Sequence, residues 1–140
     1  KSNGPCNSFN KNEGFSSKSF YRATLGSNTM VNLFVSVSPQ EAEELITETI
    51  VNGSITGELI DKYTKNAENG TSVAVLVFDK HYYRVGNRLT LTVTIDNLDG
   101  KTHIHAIGGG GGEGLFRWDA GAAESFEDCI YDAIYKYIIK

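Results

Sequence analysis

Residues 88–96, RLTLTVTID, alternate without a break: Leu89, Leu91, Val93 and Ile95 occupy one parity, and Thr90, Thr92 and Thr94 the other. Successive side chains of a β-strand point to opposite faces, so this segment is a strand with one face packed and the other wet or lightly covered. A chain holding such a strand must build a sheet and must cover one face of it with something apolar.

The cover is visible on either side. Residues 31–37, VNLFVSV, alternate as a first strand, with Val31, Leu33, Val35 and Val37 sharing a face. A helix start follows, in which Ser38 caps, Pro39 suits the first helical position and Glu41 completes a Ser-x-x-Glu box. Ala42, Leu45, Ile46, Thr49 and Ile50 form its inward stripe, and Asn52-Gly53 supplies the stop. Residues 54–64 read as a strand bulged at Gly57, residues 65–70 as a turn, and 73–84 as a strand. Residues 85–87 turn the chain into the alternating strand, 97–100 form a hairpin turn, and 102–107 a further strand. After the run of glycines at 108–112, residues 115–118 offer one more short strand. From Gly121 the spacing turns helical, through Ala122, Phe126, Cys129, Ile130, Ala133, Ile134 and Tyr137. Residues 1–18, polar and without period, read as a tail or linker, and 19–25 as a short strand, so that 19–140 forms one domain.

The order strand, helix, four or five strands, helix, with short turns between the strands, implies an antiparallel meander with both helices on one face. This is an α+β, two-layer arrangement of the TBP-like or helix-grip type. The 140 residues are 40 % apolar and 21 % charged, ordinary for one globular domain and unlike a disordered chain. A net charge of −4 argues against a nucleic-acid partner, and no apolar run is long enough to span a membrane. The first residue is Lys1 and the only methionine Met30, which leaves room for a removed N-terminal signal or anchor, with the cytoplasm as the default compartment. Two cysteines are too few for a disulfide framework. Cys129, on the inward face of the last helix, is expected to pack as a small hydrophobe rather than to bridge to Cys6.

Three segments carry a resemblance: VNGSITGEL at 51–59, YYRVGNRLTLTVTI at 82–95, and HAIGGGGGEGLFRWDAGAAESFEDCI at 105–130. Over about residues 31–138 the chain resembles a family of small, mainly Firmicutes bacterial domains of unknown function. The resemblance supports the element order and brings no catalytic motif. The chain departs from the family pattern at His103 and His105, where apolar or small residues are expected, and in its unmixed glycine run.

Candidate sites are few. His103 and His105 stand two apart on a strand and share a face, so both could reach one metal ion, with His81 of a neighbouring strand as third ligand and Asp79 or Asp96 nearby. The competing reading, two histidines on a solvated face, is the more common one. The glycine run could offer backbone N–H groups to an anion, with Arg117 as the adjacent charge, but no helix start with Gly-Lys-Ser/Thr follows it. Tyr82, Phe116, Trp118 and Phe126 are the first candidates to line a pocket between the last helix and the sheet. Tyr21, Tyr63 and Tyr83 add aromatic surface. No Gly-x-Ser-x-Gly occurs and no Cys lies near a His in sequence. The carboxylates Glu124, Glu127 and Asp128 suit a helix start better than acid–base chemistry. Asn52-Gly53-Ser54 and Asn69-Gly70-Thr71 fit the glycosylation sequon but read as turns.

The residues therefore point to a non-enzymatic module that binds a small ligand or a protein, with no cofactor and no catalytic residues. Self-association as a homodimer, through the exposed sheet face or an edge strand, is one form this takes. The alternative is a metal-dependent hydrolase using His103, His105 and His81.

Overall fold

The alternating segment forms the central strand of a five-stranded antiparallel sheet. In the computed structural model, which describes residues 30–53, 57–82, 87–109 and 129–139, the strands are β1 (Met30–Val35), β2 (Glu58–Asn66), β3 (Ser72–Tyr82), β4 (Asn87–Asp96) and β5 (Thr102–Gly109). Their spatial order is β1-β5-β4-β3-β2, so the meander β2 to β5 is closed by β1 alongside β5. β1 and β2 lie at opposite edges, and the helix between them, α1 (Pro39–Gly53), must cross the sheet to join them. It does so over β2, β3 and β4.

The periodicities explain which residues lie inside. Leu89, Leu91, Val93 and Ile95 of β4 are buried, as are Val31, Leu33 and Val35 of β1, Ala74, Leu76 and Phe78 of β3, and Ile104 and Ala106 of β5. Ala42, Ile46 and Ile50 of α1 pack onto this face, and the same core takes in Cys129, Ile130, Tyr131 and Ile134 from the helical residues 129–134, here α2. Both helices therefore cover one face. Burial of this kind is worth about 25 cal/mol for each Å² of apolar surface removed from water.

Local chemistry fixes the ends. The Ser38 hydroxyl accepts a hydrogen bond from the Glu41 backbone N–H at 3.2 Å, satisfying one of the free donors of the first turn of α1. The β2–β3 and β4–β5 turns place Gly70 and Gly100 at φ +89° and +82°, a conformation that side chains with a Cβ rarely adopt. Asn97 ties the two turns together: its Oδ1 accepts from the Ser72 N–H at 2.8 Å, and its Nδ2 donates to the Gly70 carbonyl at 3.2 Å. Asn69 accepts from the backbone N–H and the hydroxyl of Thr71, the turn role expected of that segment.

Four expectations need correction. The bulge in β2 falls between Leu59 and Asp61, not at Gly57, because Ile60 is the extra residue on an edge strand that can bend away. The last helix is helical over 129–134 but tightens into a 3-10 turn, Tyr135–Tyr137, and then extends, with Ile138 bridging to Val35 of β1. The spacing of Tyr137 thus suggested helix where backbone pairing with β1 prevailed. That placement departs from the helix-grip expectation of a closing C-terminal helix, and the long helix among the described residues is the first; the α+β class and the antiparallel sheet stand. Finally, Cys129 is buried as expected but is disulfide-bonded. Helical periodicity reports burial and carries no information on covalent pairing. Cys6, the strands expected at 19–25 and 115–118, and the helix start at 121–128 lie outside the described residues. No helix among the described residues is long and apolar enough to cross a membrane.

Candidate functional site

The face of the sheet away from the helices carries the side chains with chemistry. Strand register arranges them in rows. One row runs Tyr63, Val75, Thr94, His105, Asn32, and the next Lys65, Val73, Asp96, His103, Phe34. His103 and His105 do share this face. His81 does not join them: it lies six residues beyond Val75, the β3 residue level with His105, or about 20 Å along the strand. The set of His103, His105 and His81 is therefore not brought together.

His103 is already engaged. Its Nε2 meets Asn32 Oδ1, its Nδ1 lies 3.5 Å from Asp96 Oδ2, and its ring packs on Phe34 with centroids 4.9 Å apart. Asp96 is held in turn by the Leu98 N–H, which donates to its Oδ1 at 3.1 Å. Both imidazole nitrogens thus face side-chain oxygens, an arrangement that orders the β1–β5–β4 end of the sheet. Among the described residues no group of three or more His, Cys, Asp and Glu side chains could hold a metal ion.

A second polar group lies at the other end of the same face. Asp79 of β3 stands level with Glu58 of β2 and Thr90 of β4, and Thr90 is level with Gly109 of β5. His81 and Arg88 form the next row. The Arg88 guanidinium donates to Asp79 Oδ2 and, at 3.2 Å, to Glu58 Oε1. These carboxylates raise the Arg88 pKa further above its ordinary value, the Asp79 hydrogen bond being the largest cause. The Asp79 side chain is 10 % exposed, and its Oδ1 is buried with no hydrogen-bond partner. A buried carboxylate oxygen left unsatisfied costs on the order of 1–3 kcal/mol. Two carboxylates share this one guanidinium. Thr90 Oγ1 donates to the Gly109 carbonyl at 3.3 Å.

On the opposite face, at the end of the inward row of β3, the Lys80 side chain is buried beside Leu89. Burial lowers its pKa to about 8.

Of the pocket candidates, Tyr82 ends β3, while Phe116, Trp118 and Phe126 lie outside the described residues, as do Arg117 and glycines 110–112. The Asp79–Arg88–Glu58 group was missed in the sequence. One signal was available: an aspartate directly after Val-Leu-Val-Phe sits in a strand interior, where that residue is disfavoured unless something holds it. Its partners come from two other strands and appear only with the register.

No curated protein and no solved structure matches the chain. A family model does, over residues 30–138. That span takes in every described strand and both helices, so the chain belongs to DUF6054, a family of unknown function.

Proposed function

We propose that the domain is a non-enzymatic binding module and that its ligand site is the polar corner at Asp79, Glu58, Arg88 and Thr90. One observation carries this reading: Asp79 Oδ1 is buried and without a hydrogen-bond donor. A cationic donor would satisfy that oxygen and set a second positive group beside the two carboxylates that share Arg88. A small primary amine has this chemistry, since its ammonium carries several donors on a compact charge.

Thermal unfolding and native mass spectrometry with ethanolamine and putrescine, against ethylene glycol as the uncharged counterpart, test it. The amines are expected to raise the unfolding temperature and to add mass that is lost on denaturation, and Asp79→Asn is expected to abolish both effects. Indifference to every amine at millimolar concentration would make Asp79 a strut for Arg88 and end the reading.

The metal-dependent hydrolase is the less supported reading, because His81 lies far from the pair and His103 is engaged at both nitrogens. Replacing His103 and His105 by Ala is expected to leave metal content unchanged.

A further inference from the structure

We propose that the outer edge of β2 pairs antiparallel with the same edge of a second copy of this chain, about a two-fold axis through Tyr63, joining two five-stranded sheets into one.

The two edges of the sheet are treated differently. At the C-terminal end of β1 the chain covers its own edge: Ile138 bridges to Val35, the Ser36 N–H donates to the Tyr137 carbonyl at 2.8 Å, and the Ile139 N–H donates to the Phe34 carbonyl at 2.9 Å. β2 is the opposite edge, and every residue of it except Leu59 is exposed, including Ile60 at 52 % and Tyr63 at 55 %. An edge strand offers a row of free backbone donors and acceptors and is a template for another strand unless charges or bulges prevent it. β2 has both, with a bulge at Ile60 and the charges of Asp61, Lys62 and Lys65. Whether those charges guard the edge or select its partner depends on register.

A two-fold axis perpendicular to the sheet keeps each face on its own side, so opposed residues must share a face. Asp61, Tyr63 and Lys65 are level with Val77, Val75 and Val73 and lie on the face away from the helices. With the axis at Tyr63, this tyrosine meets Tyr63 of the partner subunit. Asp61 meets Lys65 of the partner subunit, and Lys65 meets Asp61 of the partner subunit. On the other face Lys62, already ion-paired with Glu43 of α1, meets only Thr64 of the partner subunit. The neighbouring registers lack this match. An axis at Lys62 or at Asp61 sets a charge against itself, and one at Thr64 faces Lys65 with tyrosine. The charges therefore reject the registers at Lys62 and Asp61, find no partner in the one at Thr64 and are matched in this one, which is the pattern of a specified contact.

Sedimentation velocity of the full chain over a concentration series, at low salt, tests the pairing. A dimer is expected. Lys65→Asp, which opposes Asp61 with a like charge on both sides of the axis, is expected to weaken it about tenfold or more. The double variant Asp61→Lys/Lys65→Asp restores the opposite charges and is expected to restore the dimer. Both positions are exposed, and circular dichroism verifies that the variants are folded. A wild-type chain that stays monomeric at hundreds of micromolar overturns the proposal. So does a dimer indifferent to Lys65→Asp, and so does a double variant that fails to recover.

Discussion

Lys80 shows how much one position can hold. The parity of β3 places it in the row of Ala74, Leu76 and Phe78, and it is buried with them. The row was readable from the alternation, but the residue type argued for the surface, and only the register with Leu89 shows that parity prevailed. Below about pH 8 its ammonium is charged in both folded and unfolded chains, and the folded state bears the full cost of desolvation. Between about 8 and 10.5 the folded chain releases the proton while the unfolded chain keeps it, so the unfolded state binds more protons and stability rises with pH. Above that window the group is neutral in both states. Urea unfolding at pH 7.5 and pH 10 is expected to show Lys80→Met losing about 2 kcal/mol of the rise that the wild-type chain gains. Parallel pH profiles for the two proteins would show that Lys80 keeps an ordinary pKa. Asp79 is the contrasting case. Its type was a warning in the sequence, but its meaning depends on Arg88 and Glu58, nine and twenty-one residues away in the chain.

At the scale of elements, local signals fared best where they were covalently close. The start of α1 was readable because the cap, the proline and the inward stripe lie within a few residues of one another, and the Ser38 bond to the Glu41 N–H is the outcome. Ser38→Ala removes that acceptor and leaves the donor to water. A loss of about 1 kcal/mol is expected in denaturant unfolding, with Ser38→Asp close to wild type because its carboxylate can accept the same bond. Equal losses in both variants would place the contribution of Ser38 elsewhere. The C-terminal segment was misread past Ile134 for the opposite reason. Its backbone is claimed by β1, roughly a hundred residues earlier in the chain, and helical spacing cannot report a distant carbonyl. The bulge in β2 was likewise assigned to the residue with the freest backbone, Gly57, although pairing with β3 places the extra residue at Ile60. For the candidate site the limit is the same. Sharing of a face by His103 and His105 follows from their spacing, whereas their separation from His81 is a property of two inter-strand registers.

The described residues form a sheet with one face covered by two helices that come from opposite ends of the described chain. α1 is held by its crossing between the sheet edges. The described residues of α2, 129–134, are held by their packing rather than by helix formation alone. They depend on the burial of Cys129, Ile130, Tyr131 and Ile134, on the pairing of Ile138 with β1, and on the disulfide at Cys129. The bond acts largely by restricting the unfolded chain, so its loss lowers stability without removing any packing from the sheet. Unfolding with and without reductant is expected to differ by about 2–4 kcal/mol, with the reduced protein the weaker. Hydrogen exchange should place the first loss at residues 129–139 and leave β3 and β4, at the centre of the core, protected until global unfolding. If reductant leaves the transition unchanged and no thiols are released, the bond is not formed, and core burial together with the pairing of Ile138 with Val35 would have to hold the C-terminal segment alone.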